Sequence, residues 1–139
     1  MSSVVLDSAA VLALVQGEPG GERVDALLDA IELGADVEVA ISSVNWCEVL
    51  TRMQRDNQEA TTEGLSKDLS ALLAGVDLVP FDKAEAMIAA GYARINQALS
   101  LGDRACLALA KTLHATAWTA DRFWSQCKLD VTIEQIRAD

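Results

Sequence analysis

Short apolar runs alternate with amphipathic stretches along this chain, and the alternation predicts its elements. Val4-Val5-Leu6 is apolar on both sides of the pleat and reads as a buried strand. Ser8 to Gln16 reads as a helix halted by Gly17 and Pro19. Val24, Leu27, Leu28 and Ile31 recur at helical spacing and place a second helix over Arg23 to Ile31. Val37 to Ile41 reads as a strand, after which Ser42 and Ser43 offer N-caps to a helix reaching about Arg55. Thr61 to Leu73 and Asp82 to Ala98 read as helices, with a short strand at Val76 to Val79 between them. Ser100 caps a helix from Leu101 to Leu113, and strands follow at Thr116 to Thr119 and Leu129 to Ile133. Strands separated by helices imply an α/β fold with a mostly parallel sheet, whose sites form beyond the carboxyl ends of the strands.

The 139 residues contain no linker, repeat or low-complexity stretch, so a single domain over residues 1–139 is expected. Hydrophobic residues make up 51%, too many for intrinsic disorder. No apolar run approaches the roughly 20 residues of a membrane span. The run from Ala9 to Val15 follows Asp7 and lacks a basic flank, which argues against a signal peptide. A cytoplasmic protein with no membrane partner is therefore expected. Cys47, Cys106 and Cys127 form no CxxC and are odd in number, so they read as packing residues. The only histidine, His114, reads as a turn residue, and chemistry needing two histidines is excluded.

Eleven Lys and Arg against 21 Asp and Glu give a formal charge of −10, which argues against broad adhesion to nucleic acid or membranes. It leaves open a nucleic-acid substrate met through metal ions. Asp25, Asp29, Glu32, Glu59, Glu63, Asp68 and Glu85 lie among polar residues and read as solvated. Four other acids have surroundings unsuited to a surface charge. Asp7 and Asp121 each end an apolar run where a parallel strand would finish; each alone would also serve as a helix N-cap or turn residue. Asp103 lies about 40° from Leu107 and about 20° from Ala110 around its helix, so it leans toward the apolar face. Dipole complementarity explains an acid there, but not its direction. Glu48 sits mid-helix at the margin of an apolar arc, with Asn45 three residues earlier in reach of it or its ligand. Two carboxylates about 4 Å apart repel by roughly 4 kcal/mol at an effective dielectric near 20. A divalent cation compensates, and an all-oxygen set favours Mg²⁺ or Mn²⁺ over zinc. Such a site suits phosphoryl transfer.

At these positions the chain resembles the PIN-domain ribonucleases and, more narrowly, the VapC-type toxins of bacterial type II toxin–antitoxin systems. The match runs through Val4-Val5-Leu6-Asp7-Ser8, through Ser43-Val44-Asn45-Trp46-Cys47-Glu48-Val49-Leu50, through Leu99 to Ala110 around Gly102-Asp103-Arg104, and through Thr119-Ala120-Asp121-Arg122. The third block is the most specific. His114 departs from the family, which often has Gly there, and Gln58 to Leu78 carries little family signal.

The resemblance implies a three-layer α/β/α sandwich and metal-dependent cleavage of RNA. It implies that Asp7, Glu48, Asp103 and Asp121 are the acidic set, with Thr119 as a pocket hydroxyl. In this reading Asp7 and Asp103 bind the principal Mg²⁺ or Mn²⁺, while Asp121 and Glu48 complete the shell and orient the attacking water. Ser8 and Thr119 hydrogen-bond the shell or the phosphate. Arg104 and Arg122 are the nearest cations in sequence and are candidates for RNA contact or for surface ion pairs. A small antitoxin, its C-terminal segment along the acidic cleft, and a homodimer are the implied partners.

A receiver domain would want an acid pair after the first strand and a late Lys, and a haloacid-dehalogenase-type phosphatase would want Asp-x-Asp there; position 9 is Ala9. Two readings remain beside the toxin: a PIN-fold RNA-processing nuclease, and a non-catalytic module that binds RNA or a partner.

Overall fold

The computed structural model describes residues 2–137; Met1, Ala138 and Asp139, at the ends of the expected domain, lie outside the described residues. Five strands, β1 (Ser2–Leu6), β2 (Val37–Ser42), β3 (Asp77–Val79), β4 (Thr116–Thr119) and β5 (Ile133–Gln135), form one sheet in the order β3-β2-β1-β4-β5. Every pairing in it is parallel. Parallel neighbours need long crossovers, and helices supply most of them. Helices α1 (Ser8–Val15) and α2 (Gly21–Glu32) join β1 to β2, and α3 (Ser43–Asp56) and α4 (Thr62–Leu72) join β2 to β3. Helices α5 (Lys83–Tyr92) and α6 (Leu101–Leu113) lead from β3 to β4.

The central strands are buried on both faces, which is why their apolar runs do not alternate with polar residues. Val4 and Leu6 of β1 pack with Val11, Val24, Val49 and Leu69 from α1 to α4. Val5, between them, faces the opposite core with Tyr92, Cys106, Leu107 and Leu109 from α5 and α6. The result is a three-layer α/β/α sandwich. Among the described residues no helix is long and apolar enough to cross a membrane.

Several expectations need correction. α5 stops at Tyr92, not Ala98, because the chain breaks into tight turns after Gly91. Asn96 then accepts from the Ala98 N–H at 2.8 Å, a local side-chain bond that competes with helix. β5 begins at Ile133, not Leu129, since pairing with Ala117 starts there, and Asp130 is held off the sheet by Lys111 and Tyr92. A 3-10 helix over Arg122–Gln126 was not anticipated; its buried Trp124 anchors it in the core. Glu85 is buried, not solvated: it faces α6, where Thr112 donates to it at 2.6 Å. Cys47 is exposed, on the side of α3 turned away from the core, whereas Cys106 is buried. His114 ends α6 as the turn residue expected, at φ 52°, in the left-handed region.

Candidate active site

The chain adds β2 and β3 on one side of β1, then β4 and β5 on the other. A crevice opens at the carboxyl ends of strands where the order reverses in this way. Here the reversal lies between β1 and β4, whose register pairs Leu6 with Trp118. The next residues are Asp7 and Thr119, so the sheet itself sets them side by side. The Thr119 hydroxyl donates to Asp7 Oδ2 and accepts from the Asp121 N–H at 2.9 Å. Asp7, Thr119 and Asp121 are thereby tied into one corner.

Asp7 also caps α1, its Oδ1 accepting from the Ala10 N–H at 2.7 Å. It is only 3% exposed. Burial is the main reason its carboxyl is pushed up from the usual range to about 7; its two hydrogen bonds oppose this, and the nearby charges of Asp103 and Asp121 reinforce it. Asp103 and Asp121 are half-buried. Asp121 caps the 3-10 helix, accepting from the Phe123 N–H at 2.9 Å. Asp103 closes a capping box on α6: its Oδ2 accepts from the Ser100 N–H at 2.9 Å, and its own N–H donates to the Ser100 hydroxyl. The local roles that compete with a pocket role for these three acids are therefore all real. They coexist with proximity: the caps of Asp103 and Asp121 each use one carboxylate oxygen, while Asp7 caps with Oδ1 and meets Thr119 with Oδ2.

Glu48 reaches the crevice from α3. Its Oε1 accepts from the Ser8 hydroxyl at 2.8 Å and from Asn45 Nδ2 at 3.3 Å. Asn45 is fully buried and also donates to the Gly102 carbonyl at 3.0 Å, bridging α3 to the first turn of α6. Its Oδ1 is buried and has no hydrogen-bond partner among the described residues. Cys106, buried beneath this corner, has its thiol pushed up by desolvation and then by the charges of Asp7, Asp103 and Glu48.

Ser8, Asn45, Glu48, Asp7, Thr119, Asp121 and Asp103 thus surround one corner of the sheet edge. Among the described residues, no three His, Cys, Asp or Glu side chains close on a single point as an ion's ligands. The donor chemistry nonetheless suits a hard cation. Glu48, Asp103 and Asp121 each place one carboxylate oxygen on a protein donor and, among the described residues, leave the other without one. Arg104 does not face this corner as a free cation: its guanidinium donates to the carbonyls of Leu99 and Ala89, both at 3.3 Å. Arg122 is exposed at the start of the 3-10 helix.

Two features escaped the sequence reading. Gly102, buried at the start of α6, lies against the Glu48 carboxylate. Its signal was a glycine one residue before a pocket acid, where backbone comes close. The second is a set of arginines, Arg52, Arg55 and Arg137, lining pockets beside Glu48 and Asp121. Nothing in sequence joins Arg137 to the other two.

A parallel sheet with carboxylates at its switch point places a ligand site beyond the carboxyl ends of its strands, the frame of many α/β proteins. The chain belongs to the PIN domain family, whose model matches residues 4–128. No curated protein matches it by sequence. Among solved structures it is similar to VapBC-1 from nontypeable Haemophilus influenzae, at TM-score 0.68 and 15% identity over 96% of this chain and 98% of that one. FitAcB from Neisseria gonorrhoeae is similar at TM-score 0.64 and 24% identity, over 96% and 97%. VapBC2 from Rickettsia felis, bound to a DNA fragment from their promoter, is similar at TM-score 0.65 and 16% identity, over 96% and 98%. At these identities the likeness is one of fold.

Proposed function

We propose that residues 1–139 are a single nuclease domain that cleaves RNA phosphodiester bonds with a divalent cation, as the toxin of a toxin–antitoxin pair. The observation that carries the reading is the grouping of Asp7, Asp103 and Asp121 at the β1–β4 switch point, close enough for the latter two charges to raise the Asp7 carboxyl. Among the described residues no printed ion pair joins these four acids to an Arg or Lys; carboxylates gathered so are self-repelling, and a cation relieves this.

Asp7 and Asp103 would hold Mg²⁺ or Mn²⁺, with Glu48 and Asp121 completing the oxygen set. The ion, when bound, supplies Lewis-acid polarisation of a phosphate. Thr119 holds Asp7 in one rotamer and Asp121 in register. Ser8 and Asn45 fix one oxygen of Glu48, leaving the other to complete the shell and, with Asp121, to orient the attacking water. Asp7 would hold the ion as its carboxylate, so loading of the site would be favoured as pH rises through about 7.

The relatives named VapBC and FitAcB support the toxin over a processing nuclease or a non-catalytic module, since the chain spans nearly all of theirs. A small antitoxin, a homodimer and a cytoplasmic setting belong to the same proposal. The test is incubation of the purified chain with structured and unstructured RNAs, in Mn²⁺ and in chelator. Cleavage in Mn²⁺ alone, lost in Asp7→Asn, is expected; cleavage undiminished in Asp7→Asn and Asp103→Asn overturns the assignment of the site.

A further inference from the structure

The molecule carries ten more negative than positive charges, so its overall field repels RNA. A polyanion can approach only where cations are concentrated locally. Several cations are committed elsewhere. Arg23 serves Glu134, the Gln135 carbonyl and the Trp118 ring. Lys111 pairs with Asp130 at 2.8 Å, and Arg104 holds two carbonyls.

Arg52, Arg55 and Arg137 are placed differently. One pocket of about 410 Å³ is lined by Arg52 and Arg137 and by the carboxylates of Glu18 and Asp121, over Leu12, Ala13 and Pro19. A second, of about 380 Å³, is lined by Arg52, Arg55, Glu48 and Ser8, again with Leu12. Leu12 and Arg52 belong to both, so the two make one trough running past the candidate carboxylates from Asp121 to Glu48. Arg55 and Arg137 are exposed and have no ion-pair or hydrogen-bond partner among the described residues. Arg52 has only Asp56, at 3.6 Å, and its buried Nε lacks a hydrogen-bond partner. An unsatisfied guanidinium N–H is costly unless an acceptor arrives.

We propose that this trough is the track along which single-stranded RNA lies, Arg52, Arg55 and Arg137 contacting phosphates on either side of the one at the carboxylates. The inference rests on the nuclease reading above and names how that site holds its substrate. Guanidinium forks suit phosphate oxygens, and the apolar floor of Leu12, Ala13 and Pro19 suits ribose and base faces. An apolar floor can meet only bases that are not already stacked and paired inside a duplex, which favours a single strand. Among the described residues no aromatic side chain lines either pocket, so bases find no stacking platform there. Binding is therefore dominated by phosphate contacts, tolerant of sequence and steeply dependent on salt. An acidic protein segment is the competing occupant; RNA is favoured because the trough passes the carboxylates that would act on it.

The test is binding, not cleavage. A fluorescently labelled single-stranded RNA is titrated with the parent chain in chelator, and again in Ca²⁺, between about 50 and 200 mM salt. Three phosphate contacts predict a log–log slope near −2 and about 20-fold weaker binding across that range. Arg55→Ala and Arg137→Ala should each lower the slope magnitude by about 0.7, and the double variant by about twice that. Arg94→Ala, exposed and outside the trough, should leave it at the parental value. Parental slopes in both trough variants, or equal losses in Arg94→Ala, overturn the proposal; the first result leaves the trough to a protein partner. Lowered slopes with no cleavage of any RNA in Mn²⁺ would keep the trough and sink the nuclease reading. Cleavage with unchanged slopes would do the reverse.

Discussion

Gly102 and Glu48 meet so closely that a Cβ at position 102 would overlap both oxygens of the glutamate. The two come from different helices, and Asn45 joins them, donating to Glu48 Oε1 and to the Gly102 carbonyl. The absence of a side chain at 102 is what lets the start of α6 sit against an acid of α3.

That relationship gives a separation of stability from activity. Gly102→Ala displaces the far end of a flexible side chain, which the fold absorbs, and alanine favours helix over glycine by up to about 1 kcal/mol. The melting temperature should therefore move little. The Glu48 carboxylate must move by an ångström or more, which can cost about 100-fold in rate. Thermal melts beside RNA cleavage in Mn²⁺ check this. Full activity in a stable Gly102→Ala variant would remove Glu48 from the machinery.

The buried carboxyl of Asp7 makes stability depend on pH. Its pKa is raised in the folded chain to about 7 from the ordinary 3.8, so the folded state holds a proton that the unfolded state releases earlier. The stabilisation is full below about pH 4 and is lost as pH rises through about 7. In chelator the parent should lose on the order of a few kcal/mol across that window. Asp7→Asn should lose less, and denaturant melts at several pH values show the difference. Equal pH dependence of the two proteins would mean that Asp7 is solvated and ionised.

Asp103→Asn distinguishes a shared pocket from a simple helix cap. Asparagine still accepts from the Ser100 N–H, so the capping box survives in part. In chelator the variant removes a charge that acts on Asp7 and should melt higher, by about 1 kcal/mol. In Mn²⁺ at about 100 times the dissociation constant the parent gains roughly 2.7 kcal/mol, the variant much less, and the ranking reverses. Parallel shifts in the two conditions would leave Asp103 as a cap alone.

Thr119 bonds Asp7 and Asp121 at once while fully buried. Thr119→Val keeps the shape and leaves an acceptor and a backbone N–H without their partner, at a cost of about 1–3 kcal/mol. Thr119→Ser keeps the hydroxyl and should recover most of the stability and the cleavage rate. If valine and serine behave alike in melts and in cleavage, the hydroxyl does not organise the corner.

The sequence by itself determined the order and type of nearly every element. Buried strands announce themselves as unbroken apolar runs, and Ser42, Ser100 and Asp82 mark helix starts by chemistry local to the chain. It also pointed to four acids: Asp7 and Asp121 because a carboxylate closing an apolar strand is visible in one dimension, and Asp103 and Glu48 because helical spacing sets them toward or beside an apolar face. Tertiary structure alone decided what those acids touch. The β1–β4 register brings Thr119 to Asp7 across 112 positions, and packing of α3 on α6 brings Glu48 to Gly102. No local pattern records either encounter. The cations show the same limit. Sequence proximity pointed to Arg104, which folding ties to two carbonyls, whereas Arg52 and Arg137 share a pocket only because Arg137, just after β5, comes to lie beside α1 and α3. Glu85 reads as solvated among its polar neighbours and is buried because α6 covers it, a fact that belongs to the packing and not to the segment.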